Sequence, residues 1–446
     1  MPPFNGLLIG FLALYLLQLS FSLWLAWLNR NYTKRENGRV PDGFEEFIDA
    51  RTMGRTGAYS REKSRLGSFQ LLFSELFFLG LILFGFFPYL DRLVTRWTDA
   101  PLLAGLLFFI IPGMINSLLE LPFDYYETLI LEEKYGFNRS TLWIWTTDHL
   151  KNALVALVLV SLVLSLLLGL IQAAPRSWWI WGFLLLSALQ VILVVLYPVV
   201  IAPMFNKFEP IPDEDLTEQI KTLMAGAGVR LKGLFKMDAG KRSGHTNAYF
   251  TGLGKTKRVV LFDTLLQRHP PDELLGILAH EMGHYRKRHL WKQLLFLEGV
   301  TLIGLYLASR LLNWEPLYHS FGFSLPKTLV GLFLLGLWGQ KIGFFLVPCS
   351  LALSRRFERQ ADGYARTLLD TAEPLIRAFK RMAADNLINL NPHPLYVWFH
   401  YSHPPLTERI RSLAGSGKRP TSQDNREEVA RDNSSMREAD SGNRDN

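Results

Sequence analysis

Long apolar runs broken by short polar stretches dominate the chain as far as residue 351. A helix needs about 20 apolar residues to cross the hydrocarbon core of a bilayer. Seven stretches reach that length: residues 7–28, 69–90, 102–121, 153–171, 178–201, 291–312 and 328–351. The first is too long for a signal-peptide core and no basic residue precedes it, so it is expected to stay as a helix. Between 210 and 275 the pattern turns soluble. Residues 213–227 read as an amphipathic helix, and 231–237, 248–253 and 258–263 as short strands, with turn residues over 238–244. Pro271-Asp272-Glu273 opens a further helix with acidic residues in its first turn. Beyond residue 413 the chain has too few apolar residues to bury a core and reads as a disordered tail. The expected organisation is therefore spans 1–5 over 1–202, a catalytic segment over 203–290, spans 6 and 7 over 291–352, a second catalytic segment over 353–413, and a polar tail over 414–446.

Charge sharpens this picture. The chain of 446 residues has a net charge of +8 with 49% hydrophobic residues. The loop over 29–65 carries Arg30, Lys34, Arg35, Arg39, Arg51, Arg55, Arg61, Lys63 and Arg65, whereas 91–99, 172–176 and 313–325 carry few cations. Positive loops stay cytoplasmic. The N-terminus is thus expected outside, and the 203–287 region and the C-terminus in the cytoplasm. No basic stripe with interleaved aromatics stands outside these loops, so nucleic acid is not an expected partner. Sequons at Asn31, Asn138 and Asn433 fall on the cytoplasmic side and are expected to be unused. The single cysteine, Cys349, excludes an intrachain disulfide and reads as a small packing residue.

The chemistry lies in His280-Glu281-Met282-Gly283-His284. On a helix, His280 and His284 stand one turn apart on one face and can share a metal, with Glu281 placed to take a proton from water. A catalytic zinc needs a third protein ligand. His289 is five residues beyond His284, on a different face of a continuous helix, and is a poor candidate. Glu358 is the better one. Asp362, four residues on, shares its face and can hold a ligand histidine through the other ring nitrogen. Hydrolysis requires water at the metal, which bears on Glu75, Asn116, Glu120, Gln190, Glu298, Gln340 and Lys341 in or near the apolar runs. These can be helix–helix pairs or a wetted interior lining, and the need for water favours the lining.

His280-Glu281-Met282-Gly283-His284 followed by Glu358-Arg359-Gln360-Ala361-Asp362 resembles the Ste24 family of integral-membrane zinc proteases, the type I CAAX prenyl proteases. The segments Glu132–Asn138, Ile201–Phe208, Ser243–Tyr249, Arg258–Leu265 and Tyr401–Arg409 resemble family stretches as well, so the likeness spans about residues 1–413. It implies a predominantly α polytopic membrane protein. Seven helices would form a chambered barrel, with a small α+β cytoplasmic zinc-protease domain. It implies one catalytic Zn2+ on His280, His284 and Glu358, with Glu281 as base and Asp362 behind the ligands. By the same likeness, His403 and Arg409 would stabilise the oxyanion, and Asn247 and Tyr249 would bind substrate at a strand edge. The expected partners are peptide or protein substrates, prenylated or not, and the lipid bilayer. The expected site is a bacterial inner membrane or the endoplasmic reticulum, since the tail shows no retention signal. Two rivals stand beside this: a quality-control protease like the HtpX relatives, and a non-catalytic transporter or scaffold with a structural metal.

Overall fold

The computed structural model describes residues 2–35, 39–251 and 256–415. The polar tail beyond Gly415, the sequon at Asn433 and the end of the strand expected over 248–253 lie outside the described residues. In the first half the helices are α1 (Gly6–Arg35), α2 (Ala50–Leu83), α3 (Phe86–Trp97), α4 (Pro101–Tyr126), α5 (Glu132–Tyr135), α6 (Leu142–Ala173), α7 (Trp178–Leu196) and α8 (Ala202–Phe205). Single π-turns, Glu127–Leu131 and Tyr197–Ile201, join α4 to α5 and α7 to α8. Pro198 lies in the second, where its missing N–H and its ring displace the usual i−4 bond. The second half holds α9 (Glu214–Gly226), α10 (Asp263–Arg268), α11 (Pro271–Arg286), α12 (His289–Leu311), α13 (Glu315–Ser320), α14 (Thr328–Leu368), α15 (Glu373–Asp385), α16 (Pro394–His400) and α17 (Leu406–Gly415).

Among the described residues, seven helical stretches are long and apolar enough to cross a membrane, and they coincide with the seven expected. Their ends differ. The charged loop expected over 29–65 is helical from Ala50, where the Asp49 side chain caps α2 by accepting the Thr52 N–H at 2.7 Å. Charge there marked a wet segment, and Arg and Lys are good helix formers. The loop expected over 91–99 belongs largely to α3, set off from α2 by Gly85 at φ 72°. Helix α14 has 41 residues, about 60 Å at 1.5 Å per residue, twice the ~30 Å hydrocarbon core. It therefore runs from a membrane span into the catalytic segment without a break. Cys349 is exposed on this helix rather than packed, a correction to its expected role.

The polar groups inside the spans are mostly paired. Lys341 Nζ lies 2.8 and 2.9 Å from the Glu75 carboxylate and 3.2 Å from Gln18 Oε1, and 3.9 Å over the Tyr15 ring. Asn116 donates to Glu120 at 3.0 Å, and Ser187 donates to Glu298. Helix–helix pairing, the reading the sequence had put second, thus accounts for Lys341, Glu75 and Glu298. Gln190 Oε1 is buried without a hydrogen-bond partner among the described residues.

The catalytic unit is built on a four-stranded sheet, β1 (Phe208–Pro210), β2 (Arg230–Met237), β3 (Ala248–Thr251) and β4 (Thr256–Phe262), in the order β1-β2-β4-β3. β2 and β4 are parallel, and the edge strands β1 and β3 are antiparallel to their neighbours. β1, three residues ending in Pro210, is too short to show a period and went unforeseen. Val259 and Leu261 of β4 pack with Leu278 and Ala279 of α11 into the main soluble core, which also takes in α9 and α15. That core fixes one face of α11 and leaves the histidine face to meet α14.

Candidate active site

α11 begins at Pro271 with Asp272 and Glu273 in its first turn, all favourable at a helix N-terminus. Glu273 is buried and held by Arg381 at 2.8 and 3.0 Å and by His269 at 2.8 Å, which anchors the helix start to α15. Further along, Gly283 lies against α14. A Cβ there would sit 2.7 Å from Ala361 Cα and 2.9 Å from Ala361 O. Only a residue without a side chain allows the two helices to approach so closely. The approach brings Glu358, one turn before Ala361, to the histidines.

His280 Nε2 and His284 Nε2 lie 3.2 Å apart. Glu358 Oε2 is 3.4 Å from the first and Oε1 is 3.2 Å from the second. These ligand atoms fall within 4.8 Å of one another, and they are the one group of at least three such residues found among the described residues. Two nitrogens face each other beside a carboxylate, and the buried Glu358 Oε2 has no hydrogen-bond partner among the described residues. A shared cation satisfies all of these atoms at once, so the residues fit a metal. Burial of His280 disfavours its imidazolium, but Asp362 and Glu358 outweigh this and raise its pKa to about 9. A cation at Nε2 takes the place of that proton. Glu281 is half-buried and makes no hydrogen bond or ion pair among the described residues. Burial raises its pKa toward the range suited to a proton acceptor that must later donate.

The structure places Asp362 Oδ1 2.8 Å from His280 Nδ1. Arg409 is arranged differently from an oxyanion donor. Its Nε and Nη2 donate to Asp362 at 2.8 and 2.6 Å, its Nη1 lies 3.3 Å from Glu358 Oε2, and its guanidinium stacks 4.1 Å over Phe379. Two of its donors are taken by Asp362 and its charge faces Glu358, so it braces both carboxylates behind the histidine pair. His403 does reach the site, with Nε2 3.2 Å from Glu358 Oε1 and the side chain 60% exposed. Arg355 holds that loop by donating to the Tyr401 carbonyl at 2.7 Å, at the end of α16.

Asn247 is exposed immediately before the edge strand β3, which packs against α11, and its Oδ1 accepts the Ala248 N–H at 2.8 Å. Tyr249 is not brought to the cluster. Its ring packs with Met237 and Val260, on the face of the sheet opposite Ala248, with its hydroxyl 3.7 Å from Met237 Sδ. Alternation along β3 explains this, since neighbours point to opposite faces. His289, set aside as a ligand, touches one instead: its Nδ1 lies 3.1 Å from His284 Nδ1, and its Nε2 lies 2.9 Å from Gln360 Oε1. The helical wheel did not show this contact because the helix ends at Arg286. Arg288 takes φ 55° in the left-handed region, and α12 starts afresh at His289. Arg355 and Phe379 carried no sequence signal, and Gln360 stood in the Glu358–Asp362 motif without a role of its own, because their partners lie on other elements.

Residues 29–207 match the model of the CAAX prenyl protease N-terminal region, described as five membrane helices, and residues 210–416 match that of peptidase family M48. The chain is 33% identical over 440 residues to CAAX prenyl protease 1 of Saccharomyces cerevisiae, covering 92% of this chain and 95% of that one. It is 31% identical to the CAAX prenyl protease 1 homolog of Arabidopsis thaliana, over 94% of this chain and 99% of the relative. The crystal structure of S. mikatae Ste24p superposes with a TM-score of 0.87 at 30% identity, covering 92% of this chain and all of that one.

Proposed function

The chain belongs to the Ste24 branch of peptidase family M48 and is a multi-pass membrane metalloendopeptidase, and from that premise we propose that it is a zinc enzyme cutting C-terminally prenylated CAAX-type peptides. The convergence of His280, His284 and Glu358 beside Glu281, which has no hydrogen bond or ion pair among the described residues, carries this reading. Two imidazoles and one carboxylate are a donor set that suits zinc and leave a coordination position for substrate or water. A zinc ion held there supplies Lewis acidity to the scissile carbonyl and to the attacking water. Glu281 takes the proton of that water and later passes it to the leaving amide nitrogen. His403, exposed and facing the same carboxylate, donates a hydrogen bond to the carbonyl oxygen as negative charge develops on it. Asp362 holds His280 through Nδ1, and Arg409 locks Asp362 and Glu358 from behind. Asn247 binds substrate backbone at the free edge of β3, a mode in which main-chain hydrogen bonds align an extended peptide.

The cations between Arg30 and Arg65 support a cytoplasmic catalytic side with the N-terminus opposite. The membrane is then the endoplasmic reticulum in a eukaryotic host or the inner membrane in a bacterial one. The lipidated substrate is supported by the names of the relatives, CAAX prenyl protease 1 in Saccharomyces cerevisiae and its homolog in Arabidopsis thaliana. Its test is a comparison of one CAAX peptide with and without a farnesyl group on its cysteine, using the purified chain in detergent. The lipidated peptide is expected to show a kcat/KM at least ~10-fold higher, about 1.4 kcal/mol of recognition. Equal rates would instead fit a quality-control protease indifferent to lipidation.

A further inference from the structure

The two ligand histidines are held in different ways. His280 is nearly enclosed, its side chain 9% exposed, and its Nδ1 meets the Asp362 carboxylate at 2.8 Å. His284 is more open, its side chain 28% exposed, and among the described residues no carboxylate reaches its Nδ1. There His289 stands, itself 2% exposed, with its ring stacked on Phe357 at 4.2 Å and 10°. A neutral imidazole offers one donor and one acceptor. Gln360 Oε1, a carbonyl oxygen, only accepts, so the 2.9 Å contact places a proton on His289 Nε2. His289 Nδ1 is then bare and must accept, so the 3.1 Å contact places a proton on His284 Nδ1. What remains on His284 is a bare Nε2 facing Glu358 and His280. A turned amide at Gln360 would reverse every donor in this series and leave a proton on His284 Nε2, where it would block a metal.

We propose that His289 and Gln360 form a neutral relay that fixes the tautomer and ring orientation of His284, keeping its Nε2 lone pair toward the metal position. The proposal rests on the reading of His280, His284 and Glu358 as metal ligands. It makes His289 and Gln360 positioning residues. α14 then serves both histidines from different faces. Asp362 acts directly on His280, and Gln360, two residues earlier and so on another side of the helix, acts on His284 through the first residue of α12. The stacked Phe357 ring prevents His289 from tilting out of line. Groups behind a ligand histidine are worth about 10–100-fold in metal affinity.

The experiment uses the full chain purified in detergent, stripped with a chelator and titrated with Zn2+ against a chromophoric competitor. kcat and KM are then measured at saturating Zn2+. His289→Ala and Gln360→Leu are each expected to weaken Zn2+ binding about 10–100-fold, with KM unchanged. His289→Asn, whose Oδ1 stands where Nδ1 stood, is expected to recover part of the loss. Wild-type Zn2+ affinity in Gln360→Leu overturns the relay, as does a His289→Asn variant no better than His289→Ala. If His289→Ala does not fold, Gln360→Leu decides, because it leaves the packing of His289 in place. A wild-type chain that takes up no stoichiometric Zn2+ overturns the metal reading itself, a result distinct from wild-type binding that the variants leave unaltered.

Discussion

At position 283 a hydrogen atom stands where other residues carry a carbon, and the geometry of the metal ligands depends on it. A Cβ would meet backbone atoms of Ala361 at 2.7 and 2.9 Å, and backbone cannot swing aside as a long side chain can. Gly283→Ala is therefore expected to push α14 away from α11 at a cost of about 1–3 kcal/mol in overpacking. Glu358 moves with Ala361, so zinc affinity and kcat should fall together. Metal content and thermal unfolding, measured on the same preparation, check this; wild-type zinc affinity in a folded Gly283→Ala protein would contradict it. At this scale the sequence showed a good deal. His280 with His284 and Glu358 with Asp362 are each four apart, and helix geometry turns that spacing into a shared face. What it hid were partnerships across elements. His289 was judged on a wheel that stops turning at Arg286, and Arg409 was a residue type whose actual partners, Asp362, Glu358 and Phe379, only the fold brings to it.

Among elements, α14 does two things at once: it crosses the membrane and it delivers Glu358, Asp362 and Gln360 to the site. Its position in the membrane is set in part by Lys341, whose side chain is 4% exposed and bonded to Glu75 of α2 and Gln18 of α1. A buried charge left without its partner costs roughly 3–5 kcal/mol, whereas replacing both members with apolar residues is often neutral. Glu75→Leu alone should thus lower the unfolding temperature in detergent sharply, and Glu75→Leu with Lys341→Met should recover most of it. A double variant as unstable as the single one would show that the pair is not what joins these helices. The seven spans were legible because length and apolarity decide crossing. Their ends were not. The turns of α2 from Ala50 onward and the amphipathic α3 are helical yet charged, and hydropathy cannot tell such a segment from a loop.

Across the whole molecule, the site is assembled from parts far apart in sequence: α11 after five spans, α14 as the last span, and α17 beyond it. α12 starts three residues after α11 ends, so the metal position lies next to where the chain re-enters the membrane. This places the His280, His284 and Glu358 cluster close to the start of an apolar helix long enough to cross a membrane. The central claim is that Glu281 moves the proton at a metal that His280, His284 and Glu358 hold without its help. The direct test is Glu281→Gln, with zinc stoichiometry and peptide turnover measured on one purified sample. The account predicts wild-type zinc content and turnover slower by about 10²–10⁴, the usual worth of a general base. Peptide cleavage at the wild-type rate, with zinc still bound, would contradict it.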